Sequence, residues 1–566
     1  MTSRAPSKLY LVSLALGLAL AAVAVLAASG RGEEEVAAEG KPTPGFETPE
    51  RVSEVLGIEA TGTVTATPAT GTPETAAATP SPGIDKVRAG CAFRQDPTTY
   101  EGPENRSLYT NATDLAAFNM LLPSDTYFGL PPLETGLRGS RTTSTSATAP
   151  PVLLKAIAWI ESALTQASQQ VPFEAIGPAL VSFDCGYGLM QVTSGMTTPL
   201  GEQGYPSPEQ ALVVTHFAYN VARGTAILAD KWNMAPEGRP IAGTDTGGDP
   251  AIIENWYFAV WGYNGFTGPG ANRSNHPMDP IYDAWPRVPY SCGPSTDGLG
   301  HNRGNYPFQE LIFGCASHPP QVNGVNLWTP QPVDLPDLND PRWREPLKVE
   351  NFVYPYDKMD IPTPRQPTGG YQPASASGPT ATPYPAGYQT PATDLSAAAV
   401  PTPTPHPVSL ITPQASAAPS GVVGHRDPTQ QPPASLRTAM FGAPGLSVST
   451  PTISIGYSPE TGAGSTSLTI RNSGTGILSW MAIPSVPWLV ASPLAGVAVG
   501  SDLSCASSSP CQRSATVTVT VDPTRLPPGT NRASVTILAP GINRSYVVAV
   551  TSTAVIRIGV PGVAHN

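Results

Sequence analysis

A chain of 566 residues has room for two or three domains, yet its 67 prolines and 54 glycines, about a fifth of the total, leave much of that length to connecting segments. The formal net charge is −11 and only 13% of residues are charged. That excludes a basic surface able to hold nucleic acid or the anionic face of a membrane, and leaves neutral or cationic partners.

The N-terminus carries Arg4 and Lys8, then an uncharged run from Leu9 to about Gly30, then Arg-Gly-Glu-Glu-Glu. A run of about 20 such residues reads either as a long signal-peptide core with a small-residue exit at Ala27-Ala28-Ser29, or as an uncleaved anchor that just spans a bilayer. Both place the rest of the chain outside the cytoplasm, in the cell envelope or secreted, with the membrane engaged only through this segment. No cysteine follows the run, so a lipid anchor is not expected. Residues 1–35 are assigned to the leader. Residues 36–88, rich in Thr, Ala and Pro with little to bury, are assigned to a disordered linker.

The region 89–345 holds the helical patterns. In "LLKAIAWIESALTQ", residues 153 to 166, a helical period places Leu154, Ile157, Ala158, Glu161 and Leu164 on one face. A carboxylate in an apolar stripe needs a cationic partner, or else a raised pKa and a use for the proton. Next comes "SFDCGYGLMQVTSGM", in which Gly186 and Gly188 permit a tight backbone approach before Leu189, Met190 and Gln191. A second helix is predicted over "PEQALVVTHFAYNVARGTAILADKW", with Ser207 as its cap. A third, "PAIIENWYFAVWGYNG", ends in the loop signal Gly262-Tyr263-Asn264-Gly265.

In this order the pieces resemble the soluble lytic transglycosylase family (glycoside hydrolase family 23, lysozyme-like). The likeness rests on Glu161-Ser162, then Ser182 six residues before Gly188-Leu189-Met190-Gln191, then Asn220 with Gly224 four on, then Tyr263-Asn264-Gly265. Each element alone is weak; four in order over about residues 150–268 are specific. The "AYN" at 218 to 220 has the letters of the late motif, but its place before "VARG" matches the earlier Asn-x-x-x-Gly element.

The resemblance implies cleavage of the β-1,4 bond between N-acetylmuramic acid and N-acetylglucosamine in peptidoglycan strands, using one carboxyl where most glycosidases need two. Glu161 would be that acid, kept protonated by desolvation. The substrate's 2-acetamido group would stand in for the nucleophile, and Glu161, now a base, would help the muramyl 6-hydroxyl close a 1,6-anhydro ring. By the same likeness Ser182 orients the acetamido group, Gln191 and the Met190 backbone line the cleft, Tyr263 stands near the acid, and Asn220 supports loop geometry with Gly188, Leu189, Gly224 and Asn264. Tyr187, Trp256 and Trp261 offer faces for sugar stacking, although core packing accounts equally well for the two tryptophans.

The chain departs from the family pattern in two places. About twenty residues separate Glu161 from Ser182, longer than the compact family spacing, and Cys185 stands inside the Gly-rich motif, where a disulfide would brace the loop. A hydrolytic, lysozyme-type relative needs a second acid, for which Asp184, Asp230 and Glu254 are nearest in sequence. The stretch 270–345 matches no motif.

Six cysteines, Cys91, Cys185, Cys292, Cys315, Cys505 and Cys511, suit an exported protein with paired thiols. Cys505 and Cys511 bracket a short loop and are expected to pair; the other four allow three pairings, of which Cys91 with Cys185 and Cys292 with Cys315 is the one expected. No Cys or His cluster has metal-ligand spacing, so no metal and no cofactor is expected. Four Asn-x-Ser/Thr sites, beginning at Asn105, Asn111, Asn272 and Asn543, are what chance supplies in so Ser/Thr-rich a chain.

Residues 346–443 are assigned to a second Pro/Thr-rich linker, residues 444–556 to a domain and 557–566 to a tail. In that domain "STSLTIRN", "ATVTVTVD", "RASVTIL" and "SYVVAVTS" alternate polar and β-branched residues between turn signals, the pattern of an immunoglobulin-like sandwich. The succession "NSGTGILSW", "PWLVASPLAG" and "TVDPTRLPPGT" resembles the BACON-type module, which implies either binding of other carbohydrate or a spacer; Trp480 and Trp488 are assigned to its core. The expected architecture is thus a mainly-α lysozyme-like catalytic domain and an all-β Ig-like sandwich joined by disordered linkers. The rival to a wall-cleaving enzyme is a non-catalytic surface protein whose helical domain only grips glycan.

Overall fold

The computed structural model describes residues 91–335 and 424–554, apart from residues 124, 137–141, 234–247, 266–274, 280, 283–286, 294–301, 458–461, 463 and 505–512. The leader, the first linker, most of the second, the tail and the Cys505–Cys511 pair lie outside the described residues. No helix among the described residues is long and apolar enough to cross a membrane.

Seven helices are described: α1 (Ser107–Ala117), α2 (Pro151–Ser162), α3 (Pro208–Thr215), α4 (Phe217–Asn233), α5 (Tyr257–Tyr263), α6 (Phe308–Ser317) and α7 (Ser435–Phe441). α2 starts on Pro151, whose fixed φ and missing N–H suit a first turn. Only Trp159 and Glu161 of its residues are not buried, so it is a central strut rather than a surface helix. It stops at Ser162, earlier than the period predicts. Ala163 and Leu164 turn left-handed (φ 52° and 54°), and their amides close on the Trp159 and Ala158 carbonyls. Leu164 stays fully buried although it has left the helix.

The second predicted helix is two. Ser207 caps α3 as expected, in a reciprocal box with Gln210, but the chain breaks at His216, between α3 and α4. Three consecutive carbonyls at the break accept from side chains: Val213 from Asn220 (3.0 Å), Val214 from Gln166 (2.9 Å) and Thr215 from Thr99 (2.8 Å). With those acceptors engaged elsewhere, a continuous ladder is not needed. Two small antiparallel pairs flank the helices: β1 (Thr98–Tyr100) with β4 (Ile176–Pro178), and β2 (Leu133–Thr135) with β3 (Thr142–Ser144). A hairpin of β5 (Gln321–Val322) and β6 (Val325–Asn326) follows α6. Disulfides join Cys91 to Cys185 and Cys292 to Cys315, the expected pairing.

The C-terminal region is an Ig-like sandwich of two sheets. One has the order β12 (Ala495–Val499), β10 (Ile477–Pro484), β14 (Thr530–Ala539), β15 (Arg544–Ala554), β8 (Thr452–Tyr457); the other, β11 (Leu489–Ser492), β13 (Ser514–Val521), β9 (Ser465–Asn472), β7 (Leu446–Val448). All pairings are antiparallel except β15 with β8. Leu478, Trp480 and Ala482 face the sandwich interior with Trp488. Their neighbours Ile477 and Met481 belong instead, with Ala495, Val497, Val499 and Leu538, to the hydrophobic core of the helical domain. One sheet face therefore packs on the helices, chiefly α3 and β1.

The end of the second linker differs from the expected unstructured tract. Residues 424–443 run over the helical domain as a strap. Glu254, fully buried, accepts the Asp334 and His425 amides (3.0 and 2.9 Å) and contacts His425 Nδ1 at 2.7 Å. Arg426 pairs with Asp249, and the Asp427 carboxylate accepts the Val152 amide at the start of α2 (2.7 Å). On α7, Arg437 donates to the Leu121 carbonyl (2.6 Å) and Phe441 stacks on His216 (5.5 Å between centroids).

His216 is buried against Phe217, Tyr219 and Phe441, and its Nε2 has no hydrogen-bond partner among the described residues. Burial pushes its pKa down to about 3 from 6.5. As pH falls below 6.5 the unfolded chain takes a proton that the folded chain refuses until about pH 3, so stability is lost across that window. At pH 5 the loss through this residue is about 2 kcal/mol. His216→Phe should flatten the dependence of Tm on pH between 6.5 and 4; an unchanged slope would remove His216 as its source.

Candidate active site

Glu161 sits in the last turn of α2, where the negative pole of the helix already disfavours a carboxylate. The next residue fastens the turn. Ser162, fully buried, donates to the Ala158 carbonyl and shares its hydroxyl with the Leu189 carbonyl (2.8 Å each). The end of the helix is thereby tied to the Gly-Leu-Met-Gln loop.

That loop is held from every side. The Met190 amide donates to Asn220 Oδ1 (2.8 Å) and its carbonyl accepts the Tyr263 hydroxyl (2.7 Å). Asn220 Nδ2 also reaches the Tyr187 carbonyl (2.7 Å), so one side chain of α4 holds both ends of a tight turn. Gly188 has φ +66°, and a Cβ there would meet Gln166 Oε1 at 2.6 Å and Asn220 Nδ2 at 2.7 Å. Gly224, one turn along α4 from Asn220, leaves room for Met190, whose Cβ would stand 2.5 Å from any side chain at 224. The Asn-x-x-x-Gly spacing is thus a cradle: one residue bonds the loop backbone, the other admits its side chain.

The loop before it carries Ser182, Phe183 and Asp184 on a turn braced by the Cys91–Cys185 disulfide. The Ser182 hydroxyl bonds the Asp184 carboxylate and accepts the Gly186 amide (2.8 Å). Gln191, with φ +43°, donates to the Gly188 carbonyl (2.9 Å), and its Oε1 has no partner among the described residues.

The electrostatics converge on Glu161. Burial pushes its pKa up from 4.5 to about 8; Arg303 opposes the shift and Asp184 adds to it. Burial also drives Tyr263 far above its ordinary value, helped by the charge of Glu161 and opposed by Arg223. Hydrogen bonds from Ser162 to Leu189, from Tyr263 to Met190 and between Asn220 and Met190 bring the end of α2, the Gly-rich loop and Tyr263 together, and the charge of Asp184 acts on the same acid. Chemically the arrangement is a carboxyl that keeps its proton near neutral pH, one able to act as a general acid.

Two expectations need correction. Tyr187 offers no face to a sugar: it is 1% exposed and packs edge-on against Phe93 in the core. Met190 is fully buried with its amide and carbonyl both engaged, so it shapes the floor instead of lining the cleft. Trp256 and Trp261 are also core, Trp256 stacked on Trp232 (4.5 Å) and Trp261 bonded to Asn275. Asn264 is exposed and accepts from Asn275 (3.2 Å). Of the three candidate second acids, Glu254 is held by the strap, Asp230 is buried on α4, and Asp184 is the one whose charge is felt at Glu161.

Sequence reasoning missed Gln166 and Arg303. Gln166 accepts the Leu189 amide (3.2 Å) and donates to Val214, linking the loop to α3. Arg303 donates to the Ile160 carbonyl (2.8 Å). It comes from the stretch that matched no motif, and no local signal marks it.

The helical domain therefore ends a buried helix on a glutamic acid whose pKa is raised, set against a Gly-rich loop. Residues 140–284 match the family described as "Transglycosylase SLT domain", which supports a lytic transglycosylase-type, peptidoglycan-degrading function, exerted outside the cytoplasm. No curated protein sequence matches the chain. Among solved structures the chain is similar to the ASH / PapD-like domain 7 of human CEP192 (12% identity over 20% of this chain and 87% of that one, TM-score 0.16). It is also similar to a protein of unknown function from Porphyromonas gingivalis W83 (16% identity, 20% and 48%, TM-score 0.16) and to the YadV chaperone (12% identity, 21% and 54%, TM-score 0.15).

Proposed function

We propose that the helical domain is a lytic transglycosylase that cuts the MurNAc-GlcNAc β-1,4 bond of peptidoglycan and leaves 1,6-anhydro ends. The observation that carries this reading is the state of Glu161: desolvated at a helix end, with a pKa near 8, it holds a proton at neutral pH. In the proposed cycle that proton passes to the leaving glycosidic oxygen while the acetamido oxygen of the muramyl residue attacks C1. The Glu161 carboxylate then takes the proton of the 6-hydroxyl, whose oxygen displaces the acetamido group from C1, and the acid is restored. No water enters the product. Ser182 and the Oε1 of Gln191, which has no partner among the described residues, are the polar groups we assign to the acetamido and glycan hydroxyls.

The hydrolytic alternative is favoured by one observation, the coupling of Asp184 to Glu161, since a second carboxylate is what water activation needs. For the sandwich we retain the BACON-type reading. Its shared core with the helices supports a fixed spacer over a swinging sugar-binding arm. Digesting purified sacculi with the full chain and weighing the released muropeptides decides the matter. Anhydro ends, lighter by one water, are expected; reducing ends would assign the hydrolytic route, and no release would leave only a glycan-gripping surface protein.

A further inference from the structure

We infer that Arg303, supplied by the segment beyond the matched family region, is a positioning residue that holds the end of α2 and balances the charge of Glu161 during catalysis. The inference rests on the proposed role of Glu161. The family match ends at residue 284, so nothing in it assigns a task to the chain that follows. That chain nevertheless returns to the acid. Asn302 receives the Gly304 amide (2.9 Å) and fixes a short 3-10 turn, Arg303–Asn305, from which Arg303 Nη2 donates to the carbonyl of Ile160 (2.8 Å), the residue directly before Glu161.

A cation on a carbonyl of the last helical turn stabilises that turn and answers the negative pole of the helix. Its charge also acts on the neighbouring carboxyl, lowering its pKa where burial and Asp184 raise it. Ionisable groups among the described residues that are also coupled to this pair include Tyr263 through Glu161 and Tyr290 through Arg303. The consequence is specific to a single-acid mechanism. Glu161 must give up its proton in the first half of the cycle and regain it in the second, so its anion needs a nearby cation that is not itself a proton donor. A guanidinium, permanently charged, meets that requirement.

The test is Arg303→Ala against Arg303→Lys in the full chain, with two readouts. In muropeptide release across pH, Arg303→Ala should move the high-pH limb of kcat/KM up by about one unit and reduce kcat at neutral pH by about tenfold, whereas Arg303→Lys should keep the limb within about 0.3 units. Independently of activity, the Glu161 carboxyl can be titrated by difference infrared spectroscopy, each protein against its Glu161→Gln partner; its midpoint should rise in Arg303→Ala. Activity that falls equally at all pH values with an unmoved infrared midpoint would reduce Arg303 to a structural contact and overturn the inference. If the parent chain releases nothing, the proposed function fails, and the infrared midpoint still decides whether Arg303 controls the acid.

Discussion

Glu161→Gln should abolish muropeptide release, by about 10³-fold or more, while making the protein more stable at neutral pH. Loss of activity follows from removing the only proton donor assigned to the leaving oxygen. The gain in stability follows from the raised pKa. Below pH 4.5 both folded and unfolded chains hold the proton, and the carboxyl places no strain on the fold. Between 4.5 and about 8 the unfolded chain releases a proton that the folded chain retains, so stability declines as pH rises through that window. At pH 7 the burden is about 3 kcal/mol, which the neutral amide avoids. Denaturant titrations at pH 5 and pH 8 should show the variant gaining more at the higher pH. A variant that still cuts, or a gain that does not grow with pH, would contradict the assignment of Glu161 as an acid that its surroundings keep protonated.

Val497→Asp should unfold both domains together. Val497 lies on β12 and is fully buried in the apolar core shared with the helices, so the substitution places a carboxylate among hydrophobic side chains. The cost is on the order of 3 kcal/mol or more. Calorimetry of the parent should give one transition with helical and β signals melting together, and Val497→Asp should lower both. Val490→Asp, at a position 43% exposed on β11, is the control and should be nearly neutral. Two separate transitions, or a fall confined to the β signal, would show that the domains fold independently.

How much of this was legible in the sequence depended on whether local chemistry or distant neighbours decided each feature. The capping box at Ser207, the acid on α2 and the alternating strands β9, β13, β14 and β15 are set by residues adjacent in the chain, and their patterns announced them. The break at His216 was hidden because the side chains that take its carbonyls come from residues 99, 166 and 220. β10 gave no alternation because it is buried on both faces, Trp480 toward one core and Met481 toward the other. Within the site, the glycines and Asn220 could be read from motif order, since tight turns limit which residues fit. Tyr187 was misread because an aromatic beside a glycine-rich loop looks the same in sequence whether it faces a sugar or Phe93.

Glu254 grips the amides of Asp334 and His425 together, so the Pro/Thr-rich excursion between them starts and finishes at one carboxylate. The two described ends of the chain that flank this tract thus share one anchor, a single buried carboxylate. Doubling such a loop adds only about 0.6 kcal/mol of closure entropy. A longer or shorter tract between residues 335 and 424 should therefore leave the Glu254 anchor in place.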